Sequence, residues 1–283
     1  IRMIKSLVMP ILKQVARPYI AGDDLDDAVA IAASATGHGY GVTVCYWQAP
    51  DETPEATSEQ YLATLSRLKA EGMDAHLAIK APALWERDDL IARVVSAARV
   101  AGVPVDFDSH GTEHADANFV AAEKIGGDML GCVIPGRWRR SLADADRAVE
   151  LGLRVRVVKG NWEDPNDPDR DSRKGYLDIV DKLAGRCREV GVATHDPLLA
   201  REAFARLKAA GTPCVQELLY GLPIEPAAAE GRRAGVPTRI YIPYGEAWFP
   251  YSLSKALTRP HTMLWLARDI IRRRAPGVPA PGA

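Results

Sequence analysis

RVRVVKGNWEDPNDPDRDSRKGYLDIVDKLAGRCREVGVATH, residues 154–195, holds one complete strand–helix–strand repeat. RVRVVKG (154–160) is rich in β-branched residues and ends at a glycine, as a strand entering a turn does. RKGYLDIVDKLAGRCREVG (173–191) carries apolar residues at helical spacing. VGVATH (190–195) is a second short apolar run that ends in polar residues. A strand, a helical crossover and another strand make the unit from which parallel sheets are built.

The same rhythm extends in both directions. Strands are predicted at 41–47, 75–80, 103–108, 128–135, 154–160, 190–195, 212–221 and 238–243, with helical patterns between them. Most of those patterns end in glycine, as a left-handed helix cap requires. Eight such repeats give either a closed barrel or an open doubly wound sheet. Equal spacing and the count of eight favour an α/β fold of the (β/α)8 TIM-barrel type. No GxGxxG follows an early strand, which argues against the dinucleotide-binding alternative. Residues 1–40 are read as N-terminal helices packed on the barrel, one kinked before Pro10 and one capped by Asp24 or a neighbour. Residues 41–260 are the barrel, and 261–283 are a C-terminal helix with a loose Pro/Gly tail.

Composition excludes several classes. The 283 residues carry a formal net charge of -1 with the signs mixed along the chain. A nucleic-acid partner would call for a basic stripe, and none is present. No apolar run approaches the ~20 residues of a spanning helix, and no signal-peptide pattern is visible. The first residue is Ile1, so residues upstream are expected. Cys45, Cys132, Cys187 and Cys214 form no CxxC pair and read as small buried hydrophobes of a reducing, cytoplasmic protein.

Polar residues gather where the predicted strands end: Lys80, then Asp106, Asp108, Ser109 and His110, then Arg156, Lys159 and Gly160, then Thr194, His195 and Asp196. Gln216 and Glu217 lie on the seventh strand and Tyr241 on the eighth. In this fold that end carries catalytic groups. A lysine on a barrel strand, such as Lys80 or Lys159, can bind an anion, form a Schiff base or pair with an acid such as Asp108. His110, His114 and His195 lack the spacing of a metal set, so no metal is expected. Arg156, Lys159 and the Gly160 turn suit a phosphate-bearing cofactor, because fixed cations and backbone N–H groups meet there.

Four motifs in order carry a resemblance: VRVVKGNW (155–162), VATHD (192–196), VQELLYG (215–221) and RIYIPYGEAWFPY (239–251). They resemble R-[LV]-V-K-G, F-A-T-H-[ND], E-[FL]-Q-x-L-x-G and V-Y-[VA]-P-Y-G-x-x-W-x-P-Y of the proline dehydrogenase family. LAIK (77–80) and VDFDS (105–109) match more weakly. The resemblance implies a barrel that binds FAD and oxidises a C–H next to nitrogen. It implies that Arg156 reaches the flavin and is coupled to Asp108, and that Val158, Lys159, Gly160 and Asn161 form a cofactor-contacting turn. Thr194, His195 and Ser109 are further implied cofactor contacts. The resemblance also implies that Lys80 lies under the substrate and that Tyr241 and Tyr251 wall its pocket. The implied partners are a small amine or imino acid and an electron acceptor, quinone or oxygen. The implied location is cytoplasmic, with peripheral contact to the inner membrane left open.

The chain departs from the pattern in one pocket. Where the family carries Y-x-x-R-R, an arginine pair that clamps the substrate carboxylate, this chain has Ser254 and Lys255 after Tyr251. Lysine offers a point charge without the guanidinium fork. Pro135 stands at the family's flavin-contacting glutamine, and Trp162 replaces a tyrosine. An altered substrate is therefore expected. The alternatives are a true L-proline dehydrogenase giving pyrroline-5-carboxylate, a lyase using a Schiff-base lysine, and a barrel without turnover.

Overall fold

Four helices in this chain begin at a side-chain cap. Asp24, Thr53, Asp171 and Asp196 each accept a hydrogen bond from a backbone N–H of the first helical turn they precede. Pro54 and Pro197 sit where a helix has no use for an N–H. The computed structural model describes residues 19–108, 110–168, 170–248, 251–252 and 278. In chain order the elements are α1 (Leu25–Gly37), β1 (Gly41–Tyr46), α2 (Pro54–Ala70), β2 (Ala75–Ile79), α3 (Asp88–Ala101) and β3 (Val105–Phe107). They continue with α4 (Ala115–Ile125), β4 (Leu130–Pro135), α5 (Ser141–Glu150), β5 (Arg154–Val158) and α6 (Ser172–Leu183). The last are β6 (Val190–Ala193), α7 (Pro197–Ala209), β7 (Cys214–Leu219), α8 (Glu225–Ala234) and β8 (Thr238–Tyr244).

The eight strands pair in sequence order, all parallel, and close into a barrel through β1 and β8, with Val42 opposite Ile240. The expected closed barrel is thus observed, with each predicted strand containing an observed one or differing from it by a residue. Helix α1 packs against β8 and β1. The opening helix with its Pro10 kink, and the helices and tail expected after β8, lie outside the described residues.

One helical expectation needs correction. The pattern running to Gly191 is helical only to Leu183. Gly185 turns the chain at φ +73°, and Cys187 is buried beneath the turn, its thiol donating to the carbonyl of Glu189. The apolar spacing continued past the helix because Cys187 and Val190 are core residues of a turn and a strand.

Strand residues alternate between two environments. Leu77, Ile79, Val155, Val157, Val192, Ile240 and Ile242 are fully buried and belong to the apolar core. The residues between them meet across the barrel interior. Arg154 and Arg156 of β5 reach β3 on one side and β7 on the other, two strands away in each direction. Such bonds can only run through the interior.

Two glycines let α6 approach the loop after β4. A Cβ at Gly175 would collide with the carbonyl oxygen of Gly136, a backbone atom that cannot swing aside. Gly175→Ala is expected to lower stability by about 2–3 kcal/mol, despite alanine's better helix propensity. A urea melt of the two proteins checks this.

Candidate active site

The polar interior forms two layers along the barrel axis. In the lower one Asp106 of β3 pairs with Arg154 of β5, and His76 Nδ1 lies 3.6 Å from the same carboxylate. In the upper one Arg156 Nη2 donates to Asp108 Oδ1 at 2.6 Å, and its Nη1 donates to Glu217 Oε2 at 3.3 Å. The Tyr241 hydroxyl donates to Asp108 Oδ2 at 2.6 Å, and the Arg156 guanidinium stands 4.5 Å over the Tyr241 ring. The Cys45 thiol lies 3.7 Å from the same Oδ2.

The charges of these groups follow from their neighbours. Burial pushes the Asp108 carboxyl up, but Arg156, the Tyr241 hydroxyl and Lys80 outweigh it and hold it below the usual carboxylate range. Burial opposes the charge on Arg156, yet Asp108 and Glu217 keep the guanidinium protonated well beyond its ordinary range. Burial pushes the Cys45 thiol up to about 11, so it stays protonated.

Lys80 is almost fully buried, where β2 ends. Anion binding, a Schiff base and an acid partner were all open to it, and its closest contacts are of another kind. Its Nζ donates to the carbonyl of Tyr46 at 3.0 Å and lies 3.4 Å from the centre of the Trp47 ring. Burial lowers its pKa to about 8, with the Asp108 charge acting against the shift.

Over these layers runs an aromatic roof. His110 stacks on Trp162 with ring centres 5.4 Å apart, and Trp162 stacks on Tyr251 at 5.9 Å. Tyr251 meets Trp47 at 4.7 Å, and Trp248 packs against both. Burial and the Lys80 charge push the His110 imidazole down to about 4, so it is neutral at physiological pH.

The remaining predicted residues lie at the same end with different roles. Lys159 turns toward Asp196, 3.3 Å away, which Arg173 also binds. Thr194 is buried, and its hydroxyl accepts from the Asp196 N–H. His195 is a clasp: its Nε2 accepts from the Leu219 N–H at 2.9 Å while Nδ1 lies 2.9 Å from the Pro223 carbonyl. Burial lowers its pKa, and both ring nitrogens are engaged by backbone, so it adds no cation to the mouth. Pro135 ends β4 opposite Val158 and its carbonyl accepts from Ser141. Ser109, Ser254 and Lys255 lie outside the described residues.

Two features bear on whether this end suits a flavin. Arg156 Nε is buried and has no acceptor among the described residues. Gly160 sits at φ +99°, and a Cβ there would come within 2.8 Å of Pro135 and 2.9 Å of Arg137. A donor awaiting an acceptor beside a turn that only glycine can make fits a ring with carbonyl and nitrogen acceptors. A cavity of about 260 Å3 lies at the opposite end, where the chain enters β5, β6 and β7, and plays no part in this arrangement. Among the described residues no group of three or more His, Cys, Asp or Glu side chains could hold a metal ion.

The sequence reading passed over two participants. Cys45 looked like a small buried member of an apolar strand, and Trp47 like the last residue of the same strand. Alternation marks the first, since Cys45 falls on the interior phase of its strand, in register with Ala78.

Comparison with known proteins bears out the resemblance seen in the motifs. The chain is 22% identical over 278 residues to proline dehydrogenase 1 of Bacillus subtilis subsp. natto, covering 91% of each. It is 20% identical over 295 residues to a proline dehydrogenase of Deinococcus radiodurans, covering 95% of this chain and 94% of that one. Among solved structures, proline utilization A from Bdellovibrio bacteriovorus superposes with a TM-score of 0.74 at 17% identity over 87% of this chain. That match spans 32% of the longer protein, so the chain covers about a third of its length. Proline utilization A from Corynebacterium freiburgense matches with a TM-score of 0.68 over 96% of this chain and 34% of its own. No family model matches the chain.

Proposed function

We propose that the chain is an FAD-dependent dehydrogenase of proline dehydrogenase type, acting on an amine or imino acid related to proline, with altered recognition of the carboxylate. The observation that carries this reading is the convergence of Asp108, Arg156, Tyr241 and Lys80 at the C-terminal end of the barrel. The full-length similarity to proline dehydrogenases supports the chemistry. The Ser254–Lys255 replacement supports the change of substrate.

FAD, when bound, supplies the hydride acceptor, and Arg156, Val158, Lys159, Gly160 and Asn161 are the residues proposed to hold it, with Thr194 and the turn before α7 beside them. Asp108 holds Arg156 in place from one side. Hydride loss from carbon next to nitrogen needs the nitrogen lone pair, so a substrate ammonium must first give up a proton. Lys80 is a cation at neutral pH, but with a pKa of about 8 its deprotonated form is within reach, and that form can receive it. Tyr241 and the aromatic roof wall the pocket and exclude water. The electron acceptor in this reading is a quinone or oxygen, and the work is cytoplasmic, with contact to the inner membrane left open. No described helix is long and apolar enough to cross a membrane.

The visible spectrum of the purified protein is the first test, with flavin bands expected near 370 and 450 nm (about the positions of any oxidised flavin). Anaerobic addition of proline is expected to bleach them slowly, and pyrrolidine faster. Rapid full bleaching by proline alone makes the chain an ordinary L-proline dehydrogenase. One observation favours a second reading: a buried lysine with a pKa near 8 is also a Schiff-base nucleophile. A colourless protein that borohydride and a carbonyl substrate label at Lys80 would establish that lyase.

A further inference from the structure

Glu217 lies on β7 with its side chain 1% exposed, in a position no part of the reaction above requires. Its Oε2 is 3.3 Å from Arg156 Nη1, and its Oε1 is 3.6 Å from Arg154 Nη1. It therefore joins the two polar layers of the barrel. Gly191 of β6 makes room for it: a Cβ there would stand 2.9 Å from Glu217 Oε1 and 3.3 Å from Arg156 Cγ. Counting back from Gly221, Glu217 falls where the motif E-[FL]-Q-x-L-x-G has glutamine, so this chain carries a carboxylate in place of an amide.

That one charge decides the balance of the upper layer. Among the described residues two buried cations (Lys80, Arg156) face two buried anions (Asp108, Glu217) there, while in the lower layer Arg154 meets Asp106 and, at 3.5 Å, the more exposed Glu189. Burial keeps His76 and His110 neutral, and Arg239 is spent on Asp74 at the N-terminal rim. Without Glu217 the upper layer would carry one positive charge more than its anions, and Arg156, whose Nε has no acceptor among the described residues, is where an incoming anion would find it.

We infer that Glu217 is a positioning and specificity-determining residue: by sharing Arg156 with Asp108 it makes the barrel mouth electroneutral, so that the site takes an amine without a free carboxylate. This rests on the reading that the mouth binds a proline-related amine. A carboxylate entering such a site leaves water and meets two fixed carboxylates beside a guanidinium already matched to them. An amine that carries no carboxylate escapes that cost.

The test measures binding by the tryptophan fluorescence of the purified protein, with acetate, L-proline and pyrrolidine as probes, in wild type, Glu217→Gln and Glu217→Asp. Trp47 and Trp162 in the roof report occupancy whether or not the protein turns over. Glu217→Gln is expected to bind acetate and proline roughly tenfold more tightly and pyrrolidine no better. Glu217→Asp keeps the charge and is expected to behave as wild type. Unchanged selectivity in Glu217→Gln, or the same gain in Glu217→Asp, overturns the inference. Wild-type protein that binds proline more tightly than pyrrolidine overturns it without any variant. Absence of flavin would sink the redox reading alone, since the acetate measurement needs no redox chemistry.

Discussion

Arg156→Met is expected to destabilise the protein by about 3–5 kcal/mol and to abolish reduction of a bound flavin by any amine. Arg156 is the partner of two buried carboxylates, Asp108 at 2.6 Å and Glu217 at 3.3 Å. Methionine fills much of the same volume but leaves Asp108 to the Tyr241 hydroxyl and Lys80, and Glu217 to Arg154 at 3.6 Å. The Asp108 carboxyl, which Arg156 holds low in the wild type, then rises, because burial favours its neutral form. The sign of the pH effect follows. Asp108 titrates below its ordinary range in the wild type because of Arg156, so it contributes stability above its unfolded pKa and loses it as pH falls through the lower folded value. In the variant that contribution is gone, and the loss of stability is largest at neutral pH and shrinks toward acid. Urea melts at pH 7 and pH 4 check this. Equal destabilisation at both values would mean that packing, not charge, is what Arg156 supplies.

Lys80→Met is expected to have opposite effects on stability and activity. The folded pKa of Lys80 is about 8, below the ordinary 10.5. Below pH 8 the wild type holds the ammonium in the interior against a burial cost. Between about pH 8 and 10.5 the unfolded chain binds more protons than the folded one, so stability rises with pH across that window. Methionine removes the cost, less the bond to the Tyr46 carbonyl and the contact with Trp47. The variant is expected to be about 1–2 kcal/mol more stable at pH 6.5 and no more stable than wild type at pH 10.5. Turnover is expected to fall by about 100-fold, because the proton acceptor for the substrate ammonium is lost. Denaturation curves at the two pH values and a pH–rate profile check both halves. A variant less stable than wild type at pH 6.5 would show that the Tyr46 and Trp47 contacts outweigh burial.

Both expectations use residues whose importance was partly visible in the chain. Arg156, Asp108 and Lys80 stood out because a charge on an apolar strand has few innocent explanations. Glu217 was legible as a polar residue of the seventh strand, but VQELLY gave no sign of which strands would face it across the barrel. His195 was legible as a residue of the mouth, but its role as a neutral clasp between Leu219 and Pro223 depends on the end of β7 and the turn after it, 24 and 28 residues away in sequence. Trp47 and Tyr251 lie at opposite ends of the described chain and meet at 4.7 Å only because β1 and β8 are neighbours.

The sequence by itself determined the repeat: local apolar periodicity, aspartate caps and terminal glycines specify strand, helix and order, because these depend on residues within a turn or two of one another. It also determined which strands deliver charge to the mouth, since side chains alternate along a strand with a period of two. Only the tertiary structure decided which charges neutralise which. Closure of the barrel sets the register between strands far apart in the chain, and that register places Glu217 and Asp108 on either side of Arg156. Electrostatic pairing acts through space over a few ångströms, a distance that no local pattern encodes.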